Sequence, residues 1–131
     1  MSNIPADLRY TKEHTWLRAL PGEVVELGVT DHGQEALGDI VSVELPQVGR
    51  HVAAGEDYVS LESTKTVFDV SSPVAGEVTA VNTDLKDTPE QVNQEPYGKG
   101  WLVRLHVAKA ADSAALLDAS AYEAVVKLEG G

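Results

Sequence analysis

Short apolar runs, many of them β-branched and closed by Gly, Pro, Asp or Asn, dominate the chain. Val24 to Val29, Ile40 to Leu45, Tyr58 to Glu62, Thr66 to Val70, Gly76 to Val81 and Trp101 to Val107 each read as a strand. Pro46 stops the second run and Ser71-Ser72-Pro73 the fourth. In the last run, period two puts Trp101, Val103, Leu105 and Val107 on one face and Leu102, Arg104 and His106 on the other.

Helices are short and peripheral in this reading. Asp31-His32-Gly33-Gln34 has the form of a capping box and opens a helix through Leu37 that Gly38 ends. Thr88-Pro89-Glu90-Gln91 repeats the form with Pro at the first helical position, and Ser120-Ala121-Tyr122-Glu123 is a third case. After it, Tyr122, Val125 and Val126 make an apolar stripe fit to dock on a sheet. A further helical turn is expected from Asp112 to Leu117, so the C-terminal helical segment runs over about 112–128. Many short strands without a linker predict a mainly β domain spanning 1–131, a small sandwich or barrel.

Composition narrows the chemistry. The 131 residues carry 10 Lys plus Arg against 21 Asp plus Glu, a formal net charge of −11. Such a balance repels nucleic-acid phosphates and anionic lipid headgroups, so neither partner is expected. With no cysteine, a disulfide framework, a thiolate nucleophile and Cys-ligated metal are all excluded. His14, His32, His51 and His106 include no pair at zinc-motif spacing, so no metal is expected. The start has no basic region leading into an apolar one, and no apolar run is long enough to span a bilayer. The expectation is a cytoplasmic protein.

One segment calls for a chemical explanation. Leu61-Glu62-Ser63-Thr64-Lys65-Thr66-Val67-Phe68-Asp69-Val70 joins two β-prone stretches around Lys65. Turn signals flank them, Gly49 and Gly55 before and Pro73 and Gly76 after, which frames a hairpin of about 58–70. No Asn-Gly or Asp-Gly drives a tight turn there. On residues alone, two readings of Lys65 stay open. It is an edge charge that resists aggregation, or it is an amine presented for amide formation with a carboxylic cofactor, which then carries the chemistry.

A resemblance favours the second. Leu8-Arg9-Tyr10-Thr11-Lys12-Glu13-His14, Trp16-Leu17, Gly28-Val29-Thr30-Asp31-His32 and Leu37-Gly38-Asp39-Ile40-Val41 occur in order. Val43-Glu44-Leu45-Pro46-Gln47-Val48-Gly49, Glu62-Ser63-Thr64-Lys65 and Ser72-Pro73-Val74-Ala75-Gly76-Glu77-Val78 follow. Val81-Asn82, Pro89-Glu90, Val92-Asn93, Pro96-Tyr97, Gly100-Trp101 and Ala121-Tyr122 complete the set. In these stretches, over nearly its whole length, the chain resembles the H proteins of the glycine cleavage system.

The resemblance implies a flattened barrel-sandwich hybrid of the lipoyl/biotinyl-carrier kind. It implies a carrier that is not itself an enzyme, with lipoic acid in amide linkage on Lys65. Glu62 matches the family acid linked with recognition by the lipoylating enzyme. The implied partners are the glycine decarboxylase (P protein), the aminomethyltransferase (T protein), dihydrolipoyl dehydrogenase (L protein) and the lipoylating enzyme, each visited by a monomer. The arm would take the aminomethyl group of glycine from the first to the second, and the third would reoxidise it.

Departures from the family pattern bear on how the arm rests. Thr64-Lys65-Thr66 replaces the common Val-Lys-Ala, and Val67-Phe68 replaces a small pair. Thr15 stands where Glu is frequent, while Glu13 lies two residues earlier, on the same face if the strand reaches it. Asp69 keeps the family carboxylate. Asp69, with Glu13, is therefore expected to dock the arm by attracting a protonated amine. Competing readings are a biotinyl or 2-oxo-acid-dehydrogenase lipoyl domain, or, from another class, an unmodified binding subunit or a lipoyl relay. Biotin carriers flank their lysine with Met, whereas Met1 is the only Met here. Acyltransferase lipoyl domains place Asp where this chain has Thr64.

Overall fold

Alternation along the strands builds two antiparallel sheets that face each other across one core. The computed structural model describes residues 4–11, 14–72, 74–107 and 116–128. Strands β1 (Arg9–Tyr10), β2 (Thr15–Leu20) and β3 (Val24–Val29) lead to helix α1 (Asp31–Leu37). Next come β4 (Ile40–Glu44), β5 (His51–Val52), β6 (Asp57–Ser63), β7 (Val67–Ser71) and β8 (Gly76–Val81). A 3-10 turn (Thr83–Lys86), α2 (Gln91–Gln94), β9 (Val103–His106) and α3 (Ala119–Leu128) complete the order. One sheet has six strands in the order β1-β2-β3-β9-β8-β5, and the other has three, β4-β6-β7. The sheets do not close on each other, which gives a flattened barrel-sandwich.

The predicted strands all form, with boundaries shifted by at most two residues, but the last begins only at Val103, so Leu102 joins the inter-sheet core and Trp101 lies on the Arg104 side, the reverse of the expected faces. The β2 strand was not predicted, and its packing explains why. Trp16 and Leu17 are adjacent yet both buried. Leu17 faces the inter-sheet core, whereas Trp16 joins Leu8, Tyr10, Tyr122 and Val126 on the outer face, where α3 packs. A strand buried on both faces loses its period-two signature. The visible signal was the turn, since Pro21-Gly22-Glu23 joins β2 to β3 with positive φ at Gly22 and Glu23. Cross-strand pairing sets Trp16 opposite Gly28, and a methyl at Gly28 would lie 2.6 Å from the indole. Only glycine lets the ring lie flat on the strand.

Three expected caps move. Thr30, not Asp31, caps α1, and its hydroxyl accepts the Gly33 N–H at 3.0 Å. Asp31 instead accepts from the Gln34 side chain at 2.8 Å. Around Thr88 the hydroxyl donates back to the Asp84 carbonyl, and α2 starts only at Gln91 without a side-chain cap. At α3, Asp118 accepts the Ala121 N–H at 2.8 Å, so it takes the place expected of Ser120. The stripe itself forms, with Tyr122 and Val126 buried and Val125 half-buried. The helix expected from Asp112 does not reach Leu117, which bridges to Tyr10 as extended chain. Residues 112–115 lie outside the described residues.

Candidate functional site

Lys65 stands at the tip of the β6–β7 hairpin, exposed, with no ion pair to it among the described residues. The tip is a two-residue loop in which Ser63 N–H donates to the Thr66 carbonyl at 2.8 Å. Neither Thr64 nor Lys65 has positive φ, so this is not the left-handed turn that Asn-Gly supplies. Ser63 holds it instead. Its Oγ accepts the Lys65 and Thr66 N–H groups, both at 3.1 Å, and donates to the Thr66 carbonyl. A serine side chain thus does the turn's work.

The tip is tied to the end of α1. Thr64 N–H donates to the Asp39 carbonyl at 3.1 Å. Gly38 ends α1 at φ 86 and ψ −164, a region open essentially to glycine alone. Its bare face also leaves room for the lysine, since a methyl there would lie 3.3 Å from Lys65 Cε and 3.4 Å from Cδ. The aliphatic stem of Lys65 therefore lies across Gly38 and leaves its amine at the surface. Asn93 of α2 clamps the same corner, donating to the Gly38 carbonyl and the Gln34 side chain and accepting the Ile40 N–H.

Beside this corner is an apolar cleft of about 230 Å³, lined by His14, Val29, Gly33, Ala36, Leu37 and Phe68. Leu37 directly precedes Gly38, and Phe68 lies three residues past Lys65, so the cleft opens next to the lysine stem. The resemblance implied an apolar cleft for the arm, but the sequence marked Phe68 only as a departure and did not give the cleft's walls, because they come from β3, α1 and β7 together with His14.

The other predicted residues divide. Glu62 and Asp69 are both exposed on the hairpin, Glu62 paired with Val67 and Asp69 with Ser60. Asp69 lines an open groove of about 240 Å³ with Glu44, Arg50, Asp57 and Tyr58. Alternation puts Asp69 and Phe68 on opposite faces of β7, so that groove and the apolar cleft lie on either side of this strand. Because β7 is an edge, no further strand of its sheet walls one from the other. Glu13 lies outside the described residues. β2 begins at Thr15, and His14 before it has φ 66. Thr15 itself is buried. Among the described residues no group of three or more His, Cys, Asp or Glu could hold a metal ion.

An exposed primary amine on a pinned hairpin, with an apolar recess beside its stem, suits amide attachment of a flexible carboxylic cofactor with an apolar chain. Comparison with known proteins points the same way. The family model for the glycine cleavage H-protein matches residues 8–129. The glycine cleavage system H protein of Cronobacter sakazakii is 51% identical over 129 residues, covering 98% of this chain and 100% of that protein. That of Klebsiella pneumoniae is 49% identical over the same length and coverage. The crystal structure of a glycine cleavage system H protein from Mycobacterium marinum superposes with a TM-score of 0.84 at 39% identity, over 98% of this chain and 100% of that one.

Proposed function

The chain belongs to the glycine cleavage H-protein family, and from that premise we propose that Lys65 is the residue that receives lipoic acid in amide linkage. The protein is the carrier component of the glycine cleavage system and not an enzyme. Its partners are the glycine decarboxylase, the aminomethyltransferase, dihydrolipoyl dehydrogenase and a lipoylating enzyme. When attached, the lipoyl group supplies a disulfide that takes up the aminomethyl group of glycine for delivery to tetrahydrofolate.

The chain's own residues present, orient and shelter. Ser63 and the Thr64–Asp39 bond fix the base of the arm. Glu62, exposed three residues before Lys65, is the carboxylate read by the lipoylating enzyme. The cleft beside Phe68 and Leu37 takes the apolar part of the arm and excludes water from it. Asp69 offers a carboxylate across the open edge of β7 to a protonated amine carried on the arm. An exposed pairing of this kind contributes only about 0–1 kcal/mol, so the cleft supplies most of the hold. The reading takes residues 1–131 as one carrier domain that acts as a monomer. It places the protein in the cytoplasm, as the bacterial relatives suggest. No described helix is long and apolar enough to cross a membrane.

The observation that carries the assignment is the exposed Lys65 amine on a loop pinned by Ser63 and laid against Gly38. Lipoylation with lipoate and the lipoylating enzyme should add one lipoyl mass to the intact chain and none to Lys65→Arg. The lipoylated chain should then support glycine-dependent carbon dioxide exchange by the decarboxylase. No exchange would sink the assignment. For docking, Asp69→Ala should speed ammonia release from the loaded protein slightly, and Ala36→Trp, which fills the cleft, should speed it more.

A further inference from the structure

We infer that α3 is part of the arm-docking machinery, with Tyr122 as the positioning residue that sets the wall of the apolar cleft through His14 and Thr30. This rests on the reading that the cleft holds the arm.

His14 lines the cleft, yet it is a non-glycine residue at φ 66, a conformation that L side chains rarely adopt. Such a residue persists only where its surroundings over-determine it. Here the surroundings are specific. The His14 carbonyl accepts the Thr30 N–H at 2.9 Å, and its own N–H donates to the Thr11 carbonyl at 3.2 Å. Its Nδ1 lies 2.8 Å from Tyr122 Oη. The same phenol oxygen lies 2.7 Å from Thr30 Oγ1, the cap of α1. Thr30 Oγ1 in turn accepts the Gly33 N–H at 3.0 Å. Gly33 is packed so closely on His14 that a methyl there would meet His14 Cβ at 3.0 Å. One hydroxyl, delivered from a helix 92 residues further along the chain, thus joins two walls of the cleft.

Tyr122 is itself held firmly. It is fully buried, stacks on Tyr10 with ring centroids 4.7 Å apart, and packs with Trp16, Leu8 and Val126. The far end of α1 is fixed independently by Asn93, and Tyr97 Oη accepts the Asp31 N–H. The Tyr122 hydroxyl therefore adds a side-chain tie between His14 and the start of α1 beside the direct Thr30–His14 backbone bond, while the far end of α1 is anchored by Asn93. If that hydroxyl favours the geometry in which the arm docks, linkage requires the docked arm to favour the seating of α3.

The test uses the full-length lipoylated chain, with and without loading by glycine and the decarboxylase. Backbone NMR of the unsubstituted protein first asks whether loading shifts the Gly33, Leu37 and Phe68 amides. If it does not, the cleft reading fails, and this inference fails with it. Where they shift, hydrogen exchange at the Tyr122 amide, which donates to the Asp118 carbonyl, is compared between the two states. Loading should slow it about three- to tenfold, the scale of one buried hydrogen bond. Tyr122→Phe keeps the ring and should abolish that slowing while releasing ammonia faster from the loaded protein. Equal exchange in both states of a protein whose cleft shifts on loading would overturn the inference, and that measurement stands even if Tyr122→Phe folds poorly.

Discussion

Two regions of this molecule handle charge in opposite ways. On the six-stranded sheet, Glu26 is nearly buried and sits in register between Arg18 of β2 and Arg104 of β9. It accepts from Arg18 Nη1 at 2.8 Å and from Arg104 Nε and Nη2 at 3.0 and 2.9 Å. Each arginine also lies over an indole, Arg18 over Trp16 and Arg104 over Trp101. At the hairpin tip, by contrast, Lys65 has its stem across a glycine and its ammonium in solvent. Where charge serves the fold it is neutralised by a neighbour one strand away. Where it serves chemistry only the backbone is fixed, and the reactive atom is left open. The two regions should therefore respond differently to substitution.

The largest effect tests the tip. Lys65→Arg keeps the charge but removes the primary amine, so intact mass should show complete loss of the lipoyl adduct with an unchanged urea midpoint. Next, Glu26→Gln should destabilise the fold by about 2 kcal/mol, less than a fully buried pair because both arginines are over a third exposed. Urea unfolding reads this, and lipoylation of Lys65 should proceed as before. If the rate of lipoylation fell in proportion, the regions would not be independent. Ser63→Ala should cost about 1 kcal/mol through the lost turn bonds, seen as faster exchange at the Lys65 and Thr66 amides and slower lipoylation.

The smallest effect belongs to an exposed pair. The Ala53 backbone N–H, with help from Arg50, holds the Glu56 carboxyl below the ordinary glutamate range. A carboxyl depressed in the folded state adds stability above its unfolded pKa, and that stability is lost as pH falls through the folded value. Glu56→Gln should therefore give a slightly flatter acid limb in a titration of the urea midpoint, and leave the tip and the Glu26 cluster untouched.

Much of the hairpin was legible in the sequence, since strand runs and turn residues bracket Lys65 on both sides. The chemistry of its turn was less so. The missing Asn-Gly was a real absence, and a serine side chain replaced it. Two caps were misplaced by one or two residues because Ser, Thr and Asp cluster at these helix starts, and local spacing does not say which of them faces the free N–H groups, while the cap expected of Thr88 does not form. The walls of the cleft were not legible, and only the resemblance implied that one exists.

The sequence by itself determined what is local and ordered. It set the strand segments, the lysine between them, the acidic surface and, by resemblance along nearly its full length, the family. Only the tertiary structure decided what depends on register and on contacts between distant segments. Glu26 meets two arginines because three strands align, the cleft exists because Phe68 comes opposite α1, and Tyr122 reaches His14 because α3 packs over Trp16. The physical reason is the same each time. Periodicity fixes which face a side chain takes, whereas the neighbour it meets there is chosen by the packing of the whole chain.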